Sequence, residues 1–196
     1  AANGSPTGKP GAPRVFKVGT SYAATVRAVD DYWNLVNDGR TVALKLSDVY
    51  ASTPTNIPLV GGLSNNLSFA PNTSTAAALM SVSAEDADSI QPKLATATTT
   101  GLGVSPGDLD KFLTLLPGEA YTPGKPPYDA GFLGGRTVLQ STTVPAGTPF
   151  TFTVRAVDAQ WNTVPVDIPV TMASSDPSAV IPVPNLTLAA GVTTFS

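Results

Sequence analysis

The chain has 196 residues, of which 13% are charged, a net charge of −3, and neither cysteine nor histidine. Lacking these two residue types, it has no disulfides, no Cys-His or Ser-His-Asp catalytic site and no imidazole-bound zinc. Its weak negative charge and scattered lysines give no basic surface for nucleic acid, and no run of about 18 apolar residues predicts a membrane-spanning segment.

The predicted elements are β-strands joined by turns, because 19 prolines and 17 glycines interrupt helices. Residues 1–12 have no periodic apolar pattern and are predicted to be a linker. A strand follows at residues 22–29, and a second strand is predicted at residues 41–47. Alternation of side chains predicts the following core-facing residues in the two strands: Tyr22, Ala24, Val26, Ala28, Val42, Leu44 and Leu46.

The first strand and the turn after it occur twice, 128 positions apart. Residues 25–30 and residues 153–158 both read TVRAVD, and Trp33-Asn34 recurs as Trp161-Asn162. Such an internal repeat predicts tandem copies of one folding unit. The first copy is predicted at residues 13–118, a Pro/Gly-rich linker at residues 119–142, and the second copy at residues 143–196.

The copies are predicted to differ after the second strand. Residues 67–70 align best with residues 186–189, 119 positions later, so the first copy is expected to carry nine extra residues in a loop at 49–66. Later strands of the first copy are predicted at 78–83, near 93–99 and at 111–116. About seven short strands over roughly a hundred residues are typical of a Greek-key sandwich.

The second copy lacks counterparts of residues 77–116. The expected reason is that the chain is part of a longer repeat protein. The alternative is that a neighbouring chain supplies the remaining strands by β-strand addition, which would make a self-assembling extracellular filament.

Several motifs together resemble the bacterial immunoglobulin-like repeats of large secreted or surface-anchored proteins, including adhesins and invasin-like proteins. They are the TVRAVD strand followed by Trp-Asn, Ser-Asp turns at 47–48 and 175–176, and LLPGE at 115–119 before a Gly-Lys-Pro linker. The fold is therefore expected to be all-β, with tandem immunoglobulin-like Greek-key β-sandwiches, the second truncated. The resemblance implies a non-catalytic stalk, spacer or matrix component, extracellular or at the cell surface, whose partners are neighbouring repeats or other copies of itself.

The two tryptophans leave an alternative open. Exposed indoles stack on sugar rings, so Trp33 and Trp161 are also compatible with a carbohydrate-binding or accessory module of a secreted polysaccharide-degrading enzyme, or with binding of cell-surface or matrix glycans. The favoured interpretation is that each indole plugs the end of its own sandwich. Both should then lie in like surroundings, and Trp33→Ala should cost about 3 to 5 kcal/mol.

The acidic turn of the first copy is a candidate calcium site, because Asp30, Asp31, Asn34 and Asp38 offer oxygen ligands and Ca²⁺ takes about six to eight oxygens. The second copy keeps Asp158 and Asn162 but has Ala159 and Val166 at the positions of Asp31 and Asp38, which disfavours a site common to both. The expected role of Asp30 and Asn34 is to hydrogen-bond the backbone of the turn. No cofactor, metal ligand or catalytic residue is therefore predicted.

Overall fold

The structure is a computed structural model that describes residues 14–54, 57–129, 133–138 and 143–196. Within these ranges every regular element is a β-strand, as the proline and glycine content predicts, so the all-β class is confirmed. The chain forms two compact units, residues 1–105 and residues 106–196, which we call the first and the second unit.

The described residues of the first unit form two sheets. Its strands are β1 (Phe16–Lys17), β2 (Tyr22–Arg27), β3 (Thr41–Leu46), β4 (Ile57–Pro58), β5 (Leu63–Phe69), β6 (Thr75–Asp86) and β7 (Ala97–Ser105). One sheet has the order β1-β7-β6-β3-β4, in which β1 is parallel to β7 and the other pairs are antiparallel. The other sheet pairs β2 with β5, with a bulge between Ala24 and Val26.

The core of the first unit lies between these two sheets. Leu44, Met80 and Leu102 of the larger sheet pack in one buried cluster with Phe69 of β5, and Tyr22 of β2 packs against it. Alternate residues of β2 face this core, which confirms the predicted inward face of the strand. Two sheets facing each other across an apolar layer make a sandwich-like unit.

The second unit is arranged around one central strand. Its strands are β8 (Lys111–Leu115), β9 (Glu119–Tyr121), β10 (Arg136–Val138), β11 (Phe152–Val157), β12 (Pro169–Thr171), β13 (Asn185–Thr187) and β14 (Val192–Phe195). The strand β11 pairs antiparallel with β14 on one side and with β8 on the other, whereas β9 pairs with β10 and β12 with β13. Val154, Ala156, Leu188 and Phe195 form a buried core beside β11.

The division between the units differs from the predicted one. The sequence predicts that residues 111–116 end the first copy. The strand β8 lies there but pairs with β11 of the second unit, so the boundary between the units falls between residues 105 and 106. The region expected to be a linker, residues 119–142, contains the β9–β10 pair. An ion pair stabilises these two strands, with Arg136 Nη1 at 3.0 Å from Glu119 Oε2. The order of the strands along the chain does not show that β8 pairs with β11, because strand pairing depends on residues far apart in sequence.

The expected nine-residue insertion in the first copy is wrong. Leu59 N–H donates to Arg40 C=O, and Leu188 N–H donates to Ile168 C=O in the same way, so Leu59 rather than Phe69 is the counterpart of Leu188. These leucines lie 129 positions apart, one more than the spacing of 128 between Arg40 and Ile168, so the second copy has one extra residue in this stretch. Residues 57–59 and 67–69 both alternate apolar and other residues, so either stretch matches residues 186–188 in sequence.

Asp86, at the end of β6, holds the loop that follows. Its carboxylate accepts hydrogen bonds from Leu94 N–H at 2.9 Å, Arg40 Nη1 at 2.9 Å and Asp88 N–H at 3.2 Å. The Leu94 N–H, followed by the Arg40 guanidinium, lowers the pKa of Asp86 below its ordinary value of 3.8. The charged form is therefore the one that the folded unit stabilises.

A depressed pKa in the folded state adds stability above the ordinary value and loses it as the pH falls through the folded value. We expect Asp86→Asn to lower the stability of the first unit at pH 7 and to make it less sensitive to acid below pH 3.8. Urea midpoints measured by circular dichroism between pH 7 and pH 2 check this. The exposed Asp31→Asn is the control, and an unchanged acid dependence in Asp86→Asn would contradict the assignment.

Candidate functional site

The repeated Asp-x-x-Trp-Asn segment forms the same hydrogen-bonded turn in both units. Trp33 N–H donates to Asp30 C=O at 3.0 Å, and Trp161 N–H donates to Asp158 C=O at 3.1 Å. Asp30 Oδ1 accepts from the N–H groups of Tyr32 and Asn34, both at 2.9 Å. Asp158 Oδ1 accepts from Gln160 and Asn162 N–H at 2.9 and 2.8 Å. This is the backbone bonding that the sequence predicts for the Asp and Asn of the turn.

Both tryptophans have a left-handed backbone, with φ of 65° at Trp33 and 69° at Trp161. A bulky side chain in this region costs about 1 to 2 kcal/mol, and such strain persists only where its surroundings hold it. Here the Asp and Asn on either side hold it by their hydrogen bonds. The sequence pattern located the turn but gave no sign of the positive φ, since glycine or asparagine is the usual residue there.

The surroundings of the two indoles differ sharply. Trp161 is 4% exposed and Asp158 and Asn162 are completely buried, whereas Trp33 is 38% exposed and Asp30 and Asn34 lie at the surface. The expectation that both tryptophans occupy like surroundings is therefore wrong. Trp33 does not fill the end of its unit as Trp161 does. The loss of unfolding free energy on Trp33→Ala should therefore be smaller than the predicted value of about 3 to 5 kcal/mol.

The residues before β11 cover Trp161. Its Nε1–H donates to Pro127 C=O at 2.7 Å, and Lys111 Nζ lies 3.8 Å from the centre of the ring. The buried side chains Leu113 and Leu115 of β8 form one cluster with Trp161, against which Tyr121 also packs. Burial of the second indole thus depends on β8 and on the residues that follow it.

The same segment completes the hydrogen bonding of the buried aspartate. Gly107 N–H donates to Asp158 Oδ2 at 2.6 Å, and Asn162 Nδ2 donates to both carboxylate oxygens at 3.1 Å. Tyr121 Oη donates to Trp161 C=O at 2.8 Å. A buried carboxylate is costly unless its oxygens are hydrogen-bonded, as those of Asp158 are here.

In the first unit the corresponding turn is open. Among the described residues, β2 pairs with β5 alone, whereas its counterpart β11 has β8 on its other edge. The apolar side chains of the turn are exposed there: Tyr32 by 78%, Leu35 by 53% and Val36 by 41%. Together with Trp33 they form what we call the Trp33 surface, an apolar patch at one end of β2.

The candidate calcium ligands have other partners. Asp30 Oδ2 accepts from Asn34 Nδ2 at 3.0 Å, and Asp38 is bound by Arg40, whose Nε lies 3.2 Å from Asp38 Oδ2. Asp31 is exposed. In the part of the chain that the structure describes, no three or more His, Cys, Asp or Glu side chains form a group that would hold a metal ion. The described geometry therefore points to turn formation.

Tyr121 provides a test of the covering segment. Its hydroxyl accepts from Thr163 N–H at 2.7 Å and Thr163 Oγ1 at 3.0 Å, and Arg155 lies 4.2 Å from the centre of its ring. We expect Tyr121→Phe to destabilise the second unit by about 1 to 2 kcal/mol at pH 7, because it leaves Thr163 N–H without its acceptor. Urea unfolding followed by Trp161 fluorescence, in a Trp33→Phe background, measures this loss.

The same substitution should alter the response to alkali. Burial raises the pKa of Tyr121 above its ordinary value of 10.0, so the folded unit retains a proton that the unfolded chain releases. Stability is then full below pH 10 and falls as the pH rises toward the folded value. Tyr121→Phe should show a shallower fall above pH 10, whereas the exposed Tyr32→Phe should behave as the parent chain. Equal slopes in all three proteins would contradict the role of Tyr121.

Within the described residues no helix is long and apolar enough to cross a membrane. The chain matches no protein-family model and no curated protein. The repeated fold and the unequal covering of its two tryptophan turns are the features that bear on function.

Proposed function

We propose that the chain is a non-catalytic structural or adhesive segment of a large extracellular bacterial protein, a stalk, spacer or matrix component built from tandem immunoglobulin-like repeats. The recurrence of one set of backbone hydrogen bonds carries this proposal. Asp30 N–H bonds to Asn34 C=O and Val36 N–H to Ala28 C=O, and the same two bonds recur 128 positions later. The residues that recur are the ones that shape the turn, which is the pattern of a folding unit used more than once.

The strand topology supports an immunoglobulin-like unit. In the first unit, β1 runs parallel to β7 at a sheet edge, and β2 and β5 form the opposite sheet. In the second unit, β11 to β14 repeat β2 to β5, and β8 adds a strand beside β11. A full repeat would thus contain counterparts of β8, of the four strands β2 to β5 and of the pair β6 and β7. These strands would form two sheets, as in Greek-key sandwiches.

Composition supports an extracellular setting. Only 13% of the residues are charged, against about 25% in typical globular domains, so uncharged residues such as Ser, Thr and Asn supply much of the polar surface. The test is surface labelling with antibodies raised against the chain, applied to intact cells of the source organism. Labelling of intact cells is expected, with permeabilised cells as the control, and labelling only after permeabilisation would overturn the extracellular assignment.

A carbohydrate-binding module is the second candidate, favoured by the exposure of Tyr32 and Trp33 side by side in one turn. A glycan-binding screen separates the two functions. Retention of a glycan by the parent chain and its loss in Trp33→Ala would support sugar binding. Val49→Ala is the matched control, since Val49 is an exposed apolar residue at 84% exposure, outside the turn. No retention by any of the three proteins is expected for a spacer.

A further inference from the structure

We propose that the Trp33 surface is the acceptor for a β-strand segment with the chemistry of residues 107–128, supplied by a neighbouring repeat of the same protein. The inference rests on the proposed function and adds to it the partner and the surface used. It states that a segment preceding a repeat in the chain also binds that repeat at its tryptophan turn by β-strand addition. The second unit shows the bound form of this surface, and the first unit shows the open form.

The acceptor groups are the same in both units. Residues 25–30 and 153–158 are identical, and the two turns share their hydrogen bonds and the left-handed φ of the tryptophan. In the second unit, β8 pairs with five consecutive residues of β11, from Thr153 to Val157. Their counterparts in the first unit are residues 25–29. A segment that binds β11 therefore meets the same order of side chains on β2, although the β2–β5 pair has a bulge between Ala24 and Val26 that the β11–β14 pair lacks.

The outward face of β2 is exposed where that of β11 is covered. Arg27 is exposed, whereas its counterpart Arg155 is half-buried over the ring of Tyr121. Val29 is half-buried, whereas its counterpart Val157 is completely buried beside β8. The first unit thus presents the apolar and cationic groups that the second unit buries, which is expected of a surface that receives a partner.

Charge favours a segment with a lysine. In the second unit, Lys111 Nζ donates to Ala159 C=O at 3.1 Å while it lies over the indole. The first unit has Asp31 at the position of Ala159, so the corresponding lysine would meet an exposed carboxylate there. One difference works against the segment: Leu35 replaces Thr163, so one hydroxyl contact of Tyr121 would be lost.

The occupant has to come from another repeat. Residues 1–13 contain neither leucine nor tyrosine, so they lack counterparts of Leu113, Leu115 and Tyr121, which pack with Trp161. The chain's own β8 and Tyr121 are already engaged in the second unit. The exposure of Trp33 fits the same scheme: its indole is 38% exposed, whereas Trp161, which has the same left-handed backbone, is 4% exposed beneath its covering segment.

The test places a copy of the covering segment beside the first unit. A second copy of residues 106–141 replaces residues 1–13, so that it precedes Arg14 as residues 106–141 precede Thr142. Both tryptophans are labelled with 5-fluorotryptophan, and Trp33→Phe identifies each ¹⁹F resonance. The solvent isotope shift between H₂O and D₂O reports exposure. We expect the shift of Trp33 to fall to that of Trp161, while in the parent chain it remains clearly larger.

The control carries Leu113→Asp and Tyr121→Ala in the added copy only, which should leave Trp33 exposed. Persistent exposure of Trp33 in the extended chain, with Trp161 still buried, would overturn the proposal. Protection that depends on protein concentration, checked by sedimentation, would show docking of a second chain and would also overturn joining within one chain. A glycan that binds the parent chain through Trp33 would instead favour the carbohydrate-binding module over the spacer, so the two failures are distinguishable.

Discussion

Trp161→Ala is expected to lower the free energy of unfolding of the second unit by about 3 to 5 kcal/mol, the cost of emptying a large aromatic site in a core. The indole contacts Leu113 and Leu115, and it loses its hydrogen bond to Pro127 on truncation. Hydrogen exchange of the β11 amides measures the loss, with the β2 amides of the first unit as an internal reference.

The matched substitution Trp33→Ala should cost less than about 1 kcal/mol, because exposed side chains contribute little to stability. Trp33→Gly should be at least as stable as Trp33→Ala, since glycine adopts the left-handed φ of 65° without strain. Exchange of the β2 amides reports on both variants. Equal losses for Trp33→Ala and Trp161→Ala would show that the indoles have equivalent structural roles and would contradict their unequal burial.

Asp158→Ala is expected to destabilise the second unit by about 3 kcal/mol or more, because several donors lose their common acceptor in a buried site. The backbone N–H groups of Gly107, Gln160 and Asn162 all donate to this carboxylate. The loss should extend to β8, since the bond from Gly107 ties the start of the covering segment to the turn. Exchange of the β8 and β11 amides tests both expectations.

Two controls separate hydrogen bonding from packing. Asp158→Asn keeps the volume and one acceptor oxygen, and it should lose less stability than Asp158→Ala. Asp30→Ala removes the same side chain from an exposed turn, where water replaces the carboxylate, and its effect should be clearly smaller. If Asp30→Ala were as damaging as Asp158→Ala, the covering segment would not be the source of the difference.

Local pattern predicted much of each unit correctly. The alternating residues of β2 and β3 face the core, and the Asp and Asn of the turn bond its backbone as their side-chain chemistry requires. These features depend on residues close in sequence, so the sequence alone suffices for them. Two copies of one motif could likewise be recognised from six identical residues and a repeated Trp-Asn pair.

The features that were missed depend on residues far apart in sequence. Pairing of β8 with β11 joins residues about 40 positions apart, and it places residues 111–115 in the second unit rather than at the end of the first. The burial of Trp161 depends on Lys111, Tyr121 and Pro127, none of which belongs to the repeated motif. Identical motifs therefore acquired different surroundings, which no comparison of the motifs themselves would reveal.

The parallel pairing of β1 with β7 has a mechanical consequence. The chain enters the first unit at β1 and leaves it at β7, and the two strands lie side by side. Directly after β1, Val18 N–H donates a hydrogen bond to Ser105 C=O of β7 at 3.0 Å. Tension along the polypeptide pulls these two strands past each other, so their hydrogen bonds are sheared together rather than peeled apart singly. Forced unfolding is governed by the unfolding rate, and this geometry slows the rate under stretch.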